Sequence, residues 1–275
     1  MSDQDDRRRS GLKIPILIAA VAVITAVGAI VVALRSSPSE PTSAPETLAS
    51  RPATAQPVTP PAGAPAPTVS DQQHQVSKAL ARPLRAAQDA LKLRNFQDAI
   101  AILEAADSTQ EKSPYDQHLI NVFLSTAYAG VKNYGAAARF AEAELNDGFL
   151  TAAETEKETI AAALLNYQIK NYDRTIELGS RAIRSGSANP QLPTIVAQAY
   201  YLKGDWGDAA RFEDDFVNRQ IAAGAIPGRL PLELWMSSCL KLHDDSCERR
   251  ALDQLVAYYP APETQRELER LRAAR

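Results

Sequence analysis

The chain has 275 residues, with 30 Lys and Arg set against 33 Asp and Glu, so its formal net charge is −3. That length leaves room for one sizeable domain with extensions. The near-balanced charge, with no basic stripe after residue 70, excludes the strongly basic surface of a nucleic-acid-binding protein.

The first 34 residues have the pattern of a membrane anchor. A charged tail, residues 1–13, precedes an uncharged apolar run at residues 14–34, IPILIAAVAVITAVGAIVVAL. A helix of this length spans roughly 30 Å, the thickness of a bilayer core. Four basic residues precede the run and only Arg35 follows it directly, which predicts a cytoplasmic N-terminus and an exported remainder. A cleaved signal peptide is the alternative, although no small-x-small cleavage site follows the run.

Residues 35–70 form a linker rich in proline, alanine, serine and threonine. They hold nine of the protein's 18 prolines and almost no bulky apolar residue. Such a segment cannot bury enough surface to fold. We expect a disordered, partly stiff tether that holds the following domain away from the membrane.

A short phrase recurs four times in the remaining chain, as LRNFQDA, KNYGAAA, KNYDRTI and KGDWGDA. Its aromatic residue falls at Phe96, Tyr134, Tyr172 and Trp206, in steps of 38, 38 and 34 residues. A period of this length is typical of a repeat array. Apolar residues at helical spacing lie before and after each phrase, which predicts a helix, a tight turn and a second helix. We predict that the four aromatic residues are core, packed between the two helices of their own unit.

Capping residues predict where several of these helices begin. Ser113 and Asn189 each precede a proline, the arrangement of an N-cap followed by proline at the first helical position. Thr151 and Glu154 have the spacing of a capping box.

These units resemble tetratricopeptide repeats, whose turn carries a glycine, an aspartate and a tyrosine, followed three residues on by alanine. The closest match is KGDWGDAA with Ala197 and Tyr200 upstream, and KNYGAAA comes next. The first and third units depart from the pattern, since Pro83 lies within a predicted helix and Thr175 replaces the alanine. The resemblance implies an all-α, helix-turn-helix solenoid over residues 71–275, with four to five helix pairs and a C-terminal capping helix.

More narrowly, two stretches are similar to tetratricopeptide proteins of the bacterial envelope that are associated with Ton-type energy transduction. They are VSKALARPLRAAQDALKLRNFQDAIAIL and SPYDQHLINVFLSTAYAGVKNYGAAARFAEAEL. In the repeat family, the first helix of each unit lines a concave face that binds a protein or peptide partner. The residues assigned to that face here are Gln88, Thr126, Lys157, Leu164, Tyr167, Gln198 and Tyr201. The carboxylate clamp of some family members is not reproduced, because its positions hold Leu84, Gln88 and Phe123.

Residues that carry out chemistry are sparse in this sequence. The three histidines, His74, His118 and His243, have neither metal-ligand nor triad spacing, and no phosphate-binding or hydrolase motif occurs. We therefore expect no enzymatic activity, no cofactor and no metal. Cys239 and Cys247 lie on either side of a predicted turn. They are candidates for a disulfide in an oxidising compartment, with two buried thiols as the alternative.

Three functions are compatible with this sequence. The preferred one is a non-catalytic adaptor, anchored in a bacterial inner membrane by residues 14–34, that presents its solenoid to a partner in the periplasm. The first alternative is an assembly subunit of a membrane complex, such as a Ton-type system, held mainly by the transmembrane helix. The second is an accessory factor in peptidoglycan processing, although no stretch remains for a catalytic domain. The sequence leaves self-association open.

Overall fold

The computed structural model describes residues 74–273. The predicted tail at residues 1–13, the predicted membrane helix at residues 14–34 and the predicted linker at residues 35–70 lie outside the described residues. Across residues 74–273, no helix has both the length and the apolar character needed to cross a membrane.

Between residues 74 and 273 the chain forms eleven α-helices and no strand, so the all-α prediction is confirmed for this part. The helices are α1 (Lys78–Lys92), α2 (Phe96–Asp107), α3 (Pro114–Gly130), α4 (Tyr134–Glu144), α5 (Ala152–Gln168), α6 (Tyr172–Arg184), α7 (Gln191–Lys203), α8 (Trp206–Ala222), α9 (Arg229–Leu242), α10 (Asp245–Tyr258) and α11 (Pro262–Ala273). They form five consecutive pairs, α1–α2 to α9–α10, with α11 packed on α10. The arrangement is consistent with a tetratricopeptide-like solenoid.

The same turn joins the two helices of all five pairs, and the recurring phrase encodes it in the first four. One residue in each turn has a positive φ: Arg94 (60°), Lys132 (62°), Lys170 (61°), Gly204 (93°) and His243 (55°). The next residue is Asn or Asp, and its amide donates to the carbonyl five positions earlier, as from Asn133 to Tyr128 at 2.9 Å. These are the bonds of a Schellman motif, which ends the first helix.

The same Asn or Asp then begins the second helix. The Asn133 side chain accepts a hydrogen bond from the Ala136 amide at 3.2 Å. The Asp244 carboxylate accepts from the amides of Ser246 and Cys247 at 3.0 and 2.9 Å. In the phrase KNY, lysine therefore takes the left-handed conformation, asparagine caps the second helix, and tyrosine is its first residue.

Small residues allow the helices of each unit to approach closely. The side chain three positions after each aromatic residue is fully buried, at Ala99, Ala137, Thr175 and Ala209. Seven positions after the aromatic residue lie Leu103, Ala141, Gly179 and Glu213, which are also buried.

Glu213 is thus a carboxyl group in a core position of the repeat. Burial raises the pKa of Glu213 well above its usual range.

The four recurring aromatic residues are half-buried rather than fully enclosed. The ring of Phe96 lies against Gly130, at the end of the first helix of the next unit. The Lys241 ammonium, also near the end of the next unit's first helix, lies 5.8 Å from the centroid of the Trp206 ring. At these two positions the aromatic residue packs between units, and not only between the helices of its own unit as predicted.

The predicted helix starts are present with small shifts. Ser113 and Asp116 form a capping box at α3, and Thr151 and Glu154 form one at α5. The Asn189 side chain accepts from the Gln191 amide at 2.9 Å, and α7 begins at Gln191, one residue later than predicted. Helix α1 continues through Pro83 without a break.

Candidate functional site

The first helices of the units come together on one face of the stack. Among the described residues, α1 contacts α3, α5 contacts α7 and α7 contacts α9, whereas no two second helices approach as closely. Since first helices approach each other more closely than second helices in three of the four steps, we assign the concave face of the stack to the first-helix side.

A groove lies on this face between α1 and α3, with a volume of about 430 Å³. Its lining residues are Val76, Ala81, Leu84, Arg85, Gln88, Asp89, Lys92, Leu119 and Phe123. We call this feature the α1–α3 groove. It forms because the two helices meet through residues such as Leu84, which is only 4% exposed, and leave the neighbouring surface open.

The α1–α3 groove combines an apolar floor with a charged rim. Leu119 and Phe123 are half-buried along α3, and Val76 is 37% exposed at the end where the described chain begins. The rim carries Arg85 and the pair Lys92 and Asp89, whose charged atoms are 3.5 Å apart. The side chains of that pair are 65% and 58% exposed, so the pair is worth little energy and is easily rearranged. Such a lining suits binding and holds no arranged nucleophile and base.

Of the residues assigned to the concave face, Gln88 lines this groove and is exposed. Lys157 is exposed on α5 and does not line the second depression, of about 490 Å³, which lies between α5 and α6 and has mostly small and polar lining residues. Tyr201 is half-buried on α7, and burial raises the pKa of its hydroxyl. The structure therefore does not bring these three side chains into one site.

The other four assigned residues are buried. Leu164 is fully enclosed in the core, so its side chain is closed to a ligand. The Tyr167 hydroxyl donates to Oε1 of Gln198 at 2.8 Å, and both side chains are 8% exposed. Their hydrogen bond joins α5 to α7 across a unit boundary. Thr126 is 7% exposed and donates to the Val122 carbonyl of its own helix at 3.0 Å. These four side chains were predicted to be open to a partner, and their burial leaves them little surface to offer one.

A cluster of four rings that sequence reasoning missed lies at the start of α3. His74 contacts Tyr115 and Phe149, with ring centroids 5.3 and 5.7 Å apart. His118 contacts the same two rings, and its Nδ1 lies 2.8 Å from Oδ2 of Asp147. No sequence spacing indicated this cluster, because its members come from three separate segments.

The ring cluster fastens the chain at the point where it enters the described region. The Ser77 amide donates to Oδ1 of the fully buried Asp116 at 3.1 Å, beside the rings. No group of three or more His, Cys, Asp or Glu side chains between residues 74 and 273 is placed to hold a metal. The ring contacts and the Ser77–Asp116 hydrogen bond attach the segment before α1 to the second unit, so the cluster is a structural anchor.

Cys239 and Cys247 are joined in a disulfide across the turn between α9 and α10. Their Cα atoms are 5.4 Å apart, within the usual range for this bond. Both residues lie in the core, at 0% and 4% exposure, packed with Trp235 and Leu252.

Comparison with known proteins does not assign this chain to a family. No protein-family model matches the sequence, and no curated protein is significantly similar to it. One solved structure, described as a functional characterization of Pseudomonas aeruginosa PilF, is 16% identical to this chain. The alignment covers 72% of this chain and 98% of that one, with a TM-score of 0.34. A TM-score this low does not establish a shared fold. Residues 74–273 form an all-helical stack of paired helices.

Proposed function

We propose that this chain is a non-catalytic adaptor that binds a segment of a partner protein in the α1–α3 groove. The observation that carries the proposal is the groove itself, an open apolar channel between two first helices on the concave face. Side chains of a peptide fill such a channel while its backbone remains outside, as in helix-in-groove recognition.

The lining of the groove favours a protein segment over a small metabolite. Small-molecule sites enclose most of their ligand and fix it with several converging polar groups. Here Val76, Leu119 and Phe123 offer accessible apolar area, and the charges of Arg85 and Lys92 lie at the rim. That distribution resembles an interface, with an apolar centre and a polar border.

We further propose that the domain is held at a bacterial inner membrane and faces the periplasm. The apolar run at residues 14–34, with its excess of preceding basic residues, supports a single span with a cytoplasmic N-terminus. The pairing of Cys239 with Cys247 supports an oxidising compartment, since structural disulfides are rare in the cytosol. The proline-rich residues 35–70 would give the domain reach to search for its partner.

Site-specific photo-crosslinking in cells tests the groove. The probe replaces Gln88, which is exposed in the groove, and in the control it replaces Ala101, which is exposed on α2. We expect a discrete protein adduct from residue 88 and none from residue 101. Equal adducts at both positions, or none at either, would contradict groove binding.

A deletion variant separates the adaptor from an assembly subunit. With residues 14–34 deleted and export supplied by a cleavable signal, an adaptor still gives the residue 88 adduct. A subunit held mainly by its membrane helix loses it, and in that case the α1–α3 groove is not the principal contact.

A further inference from the structure

All five turns within the helix pairs lie along the same edge of the stack. Consecutive helices run antiparallel, so each first helix ends, and each second helix begins, at this edge. We call it the turn edge and define it by residues 93–94, 131–132, 169–170, 203–204 and 242–243. The chain enters at the opposite edge, because His74 and Ser77 lie at the start of α1.

The turn edge carries a row of exposed aliphatic side chains. The large apolar residues classed as exposed among the described residues are Val76, Leu93, Ile169, Ile226 and Leu242, at 37%, 73%, 41%, 73% and 42%. Leu93, Ile169 and Leu242 occupy the same position of the repeat, directly before the left-handed residue. Val131 has that position in the second unit and is half-buried. Three of five exposed apolar side chains therefore share one structural role.

Each of these aliphatic residues is followed by a basic residue or a histidine. Arg94, Lys132, Lys170 and His243 all have a positive φ, a backbone conformation in which glycine is favoured. The fourth unit uses glycine at this position, Gly204, and there lysine stands one place earlier, at Lys203. Two locally unfavourable choices, an exposed aliphatic and a left-handed basic residue, thus recur together along one edge.

The basic residues in the first three turns are available to a partner. Arg94, Lys132 and Lys170 are exposed and form no ion pair with any side chain in residues 74–273. Acidic groups in the later turns are already engaged. Asp205 binds the Lys203 ammonium at 2.7 Å, and Asp244 caps α10.

We propose that the turn edge docks on the surface of an anionic lipid bilayer. Single aliphatic side chains insert at the headgroup level, and the adjacent cations bind lipid phosphate groups. A single-stranded nucleic acid would be bound on aromatic platforms for its bases, and this row has aliphatic side chains instead. A protein partner would need one desolvated central pocket, whereas these residues are spread singly over the units. The proposal is independent of the α1–α3 groove, which lies on the concave face.

The strength of docking follows from the number of free cations. Each Lys or Arg near an anionic surface contributes roughly a fivefold gain in association, so three contribute on the order of 100-fold. Charge reversal at Arg94, Lys132 and Lys170 is therefore expected to lower association by at least that factor.

The test measures how close each edge of the full chain comes to lipid. Gln97, exposed at the start of α2, and Gln110, exposed in the loop after α2, are each replaced by cysteine and labelled with an environment-sensitive dye. The native cysteines do not compete, because both are in the disulfide. The labelled full chain is mixed with phosphatidylcholine vesicles carrying a headgroup-level quencher, with or without phosphatidylglycerol.

We expect quenching at residue 97 only, in phosphatidylglycerol vesicles only, and its loss in the variant R94E/K132E/K170E. The matched control R181E/R184E/R219E makes the same change of charge near the opposite edge and should leave the quenching intact. Quenching at both labels, at neither, or equally with and without phosphatidylglycerol would overturn the proposal. So would equal loss in the two triple variants.

Discussion

The ring of Phe96 occupies the space that a side chain on Gly130 would need. A Cβ atom built on Gly130 would lie 2.5 Å from the ring, far inside normal contact distance. Gly130 is the last residue of α3, and Phe96 is the first residue of α2, so this contact joins the first unit to the second.

Replacing Gly130 by alanine should therefore destabilise the domain. Overpacking against an aromatic ring held by its own helix costs about 1–3 kcal/mol. Gly135 is a matched control, because a Cβ there meets nothing closer than 3.9 Å. Gly135→Ala should instead stabilise by about 0.5 kcal/mol through helix propensity. Urea unfolding of both variants measures the difference, and equal effects would contradict the proposed packing.

Removing the Tyr167 hydroxyl should weaken the junction between α5 and α7. Tyr167→Phe leaves Oε1 of Gln198 buried without its donor, at a cost of about 1–3 kcal/mol. Tyr201→Phe is the control, because the Tyr201 hydroxyl has no hydrogen-bond partner among residues 74–273. This variant should lose little stability. The double variant Tyr167→Phe/Gln198→Leu should recover part of the loss. A double variant less stable than Tyr167→Phe would argue against the pairing.

Glu213 should make folding stability depend on pH. Burial raises its pKa in the folded protein above the usual value of 4.5, so the folded state holds its proton more tightly than the unfolded state. The contribution of Glu213 to the free energy of unfolding is fully present below pH 4.5, and it is lost as the pH rises through the pKa of the folded state. Between these two pKa values, the free energy of unfolding falls by up to about 1.4 kcal/mol per pH unit.

The variant Glu213→Gln should remove this part of the pH dependence, since it cannot ionise. Glu269→Gln, at an exposed position of α11, should retain the parent profile. Denaturant unfolding between about pH 4 and pH 8 compares the three proteins. Parallel profiles for all three would show that the buried carboxyl does not control the slope.

The disulfide should add measurable stability to the last helix pair. Its cysteines are eight residues apart in sequence, and closing so short a loop restricts the unfolded chain by about 2–3 kcal/mol. Reduction, or the double variant Cys239→Ala/Cys247→Ala, should lower the unfolding temperature. The double variant should then be insensitive to reductant, whereas the parent should not. An unchanged unfolding temperature of the parent after complete reduction would contradict this expectation.

The basic residues with positive φ should make the domain less stable than glycine would at the same positions. Lys170→Gly should stabilise the domain by about 1 kcal/mol, because glycine carries no Cβ penalty at φ 61°. Gly204→Ala, at φ 93°, should have the opposite sign. Thermal unfolding of both variants provides the measurement. A destabilised Lys170→Gly protein would mean that the lysine side chain makes a stabilising contact within the fold.

The helix pairs could be predicted from the sequence because adjacent residues specify each turn. Lys132, Asn133 and Tyr134 specify a left-handed residue, a cap and a helix start, and none of these depends on distant contacts. The capping boxes of α3 and α5 were predictable for the same reason.

The candidate site was less predictable because neighbouring units decide which side chains remain open. Gln88 and Gln198 each lie eight positions before the aromatic residue of their turn, yet Gln198 is buried against Tyr167 of the preceding unit, whereas Gln88 lies exposed in a groove. The ring cluster of His74, His118 and Phe149 was missed because its members are distant in sequence. Contacts across units depend on the twist between them, which no short phrase encodes.

The anchor at Asp116 determines how tension entering at residue 74 would spread through the domain. Ser77 is bonded to Asp116 on α3, and His74 packs on Tyr115 and Phe149, so the entering segment is attached to the second unit. A pull on the N-terminal side is therefore delivered past α1 and into the body of the stack. Part of such a load would then be borne by α3 and not by the start of α1 alone, an arrangement that favours an intact α1–α3 groove.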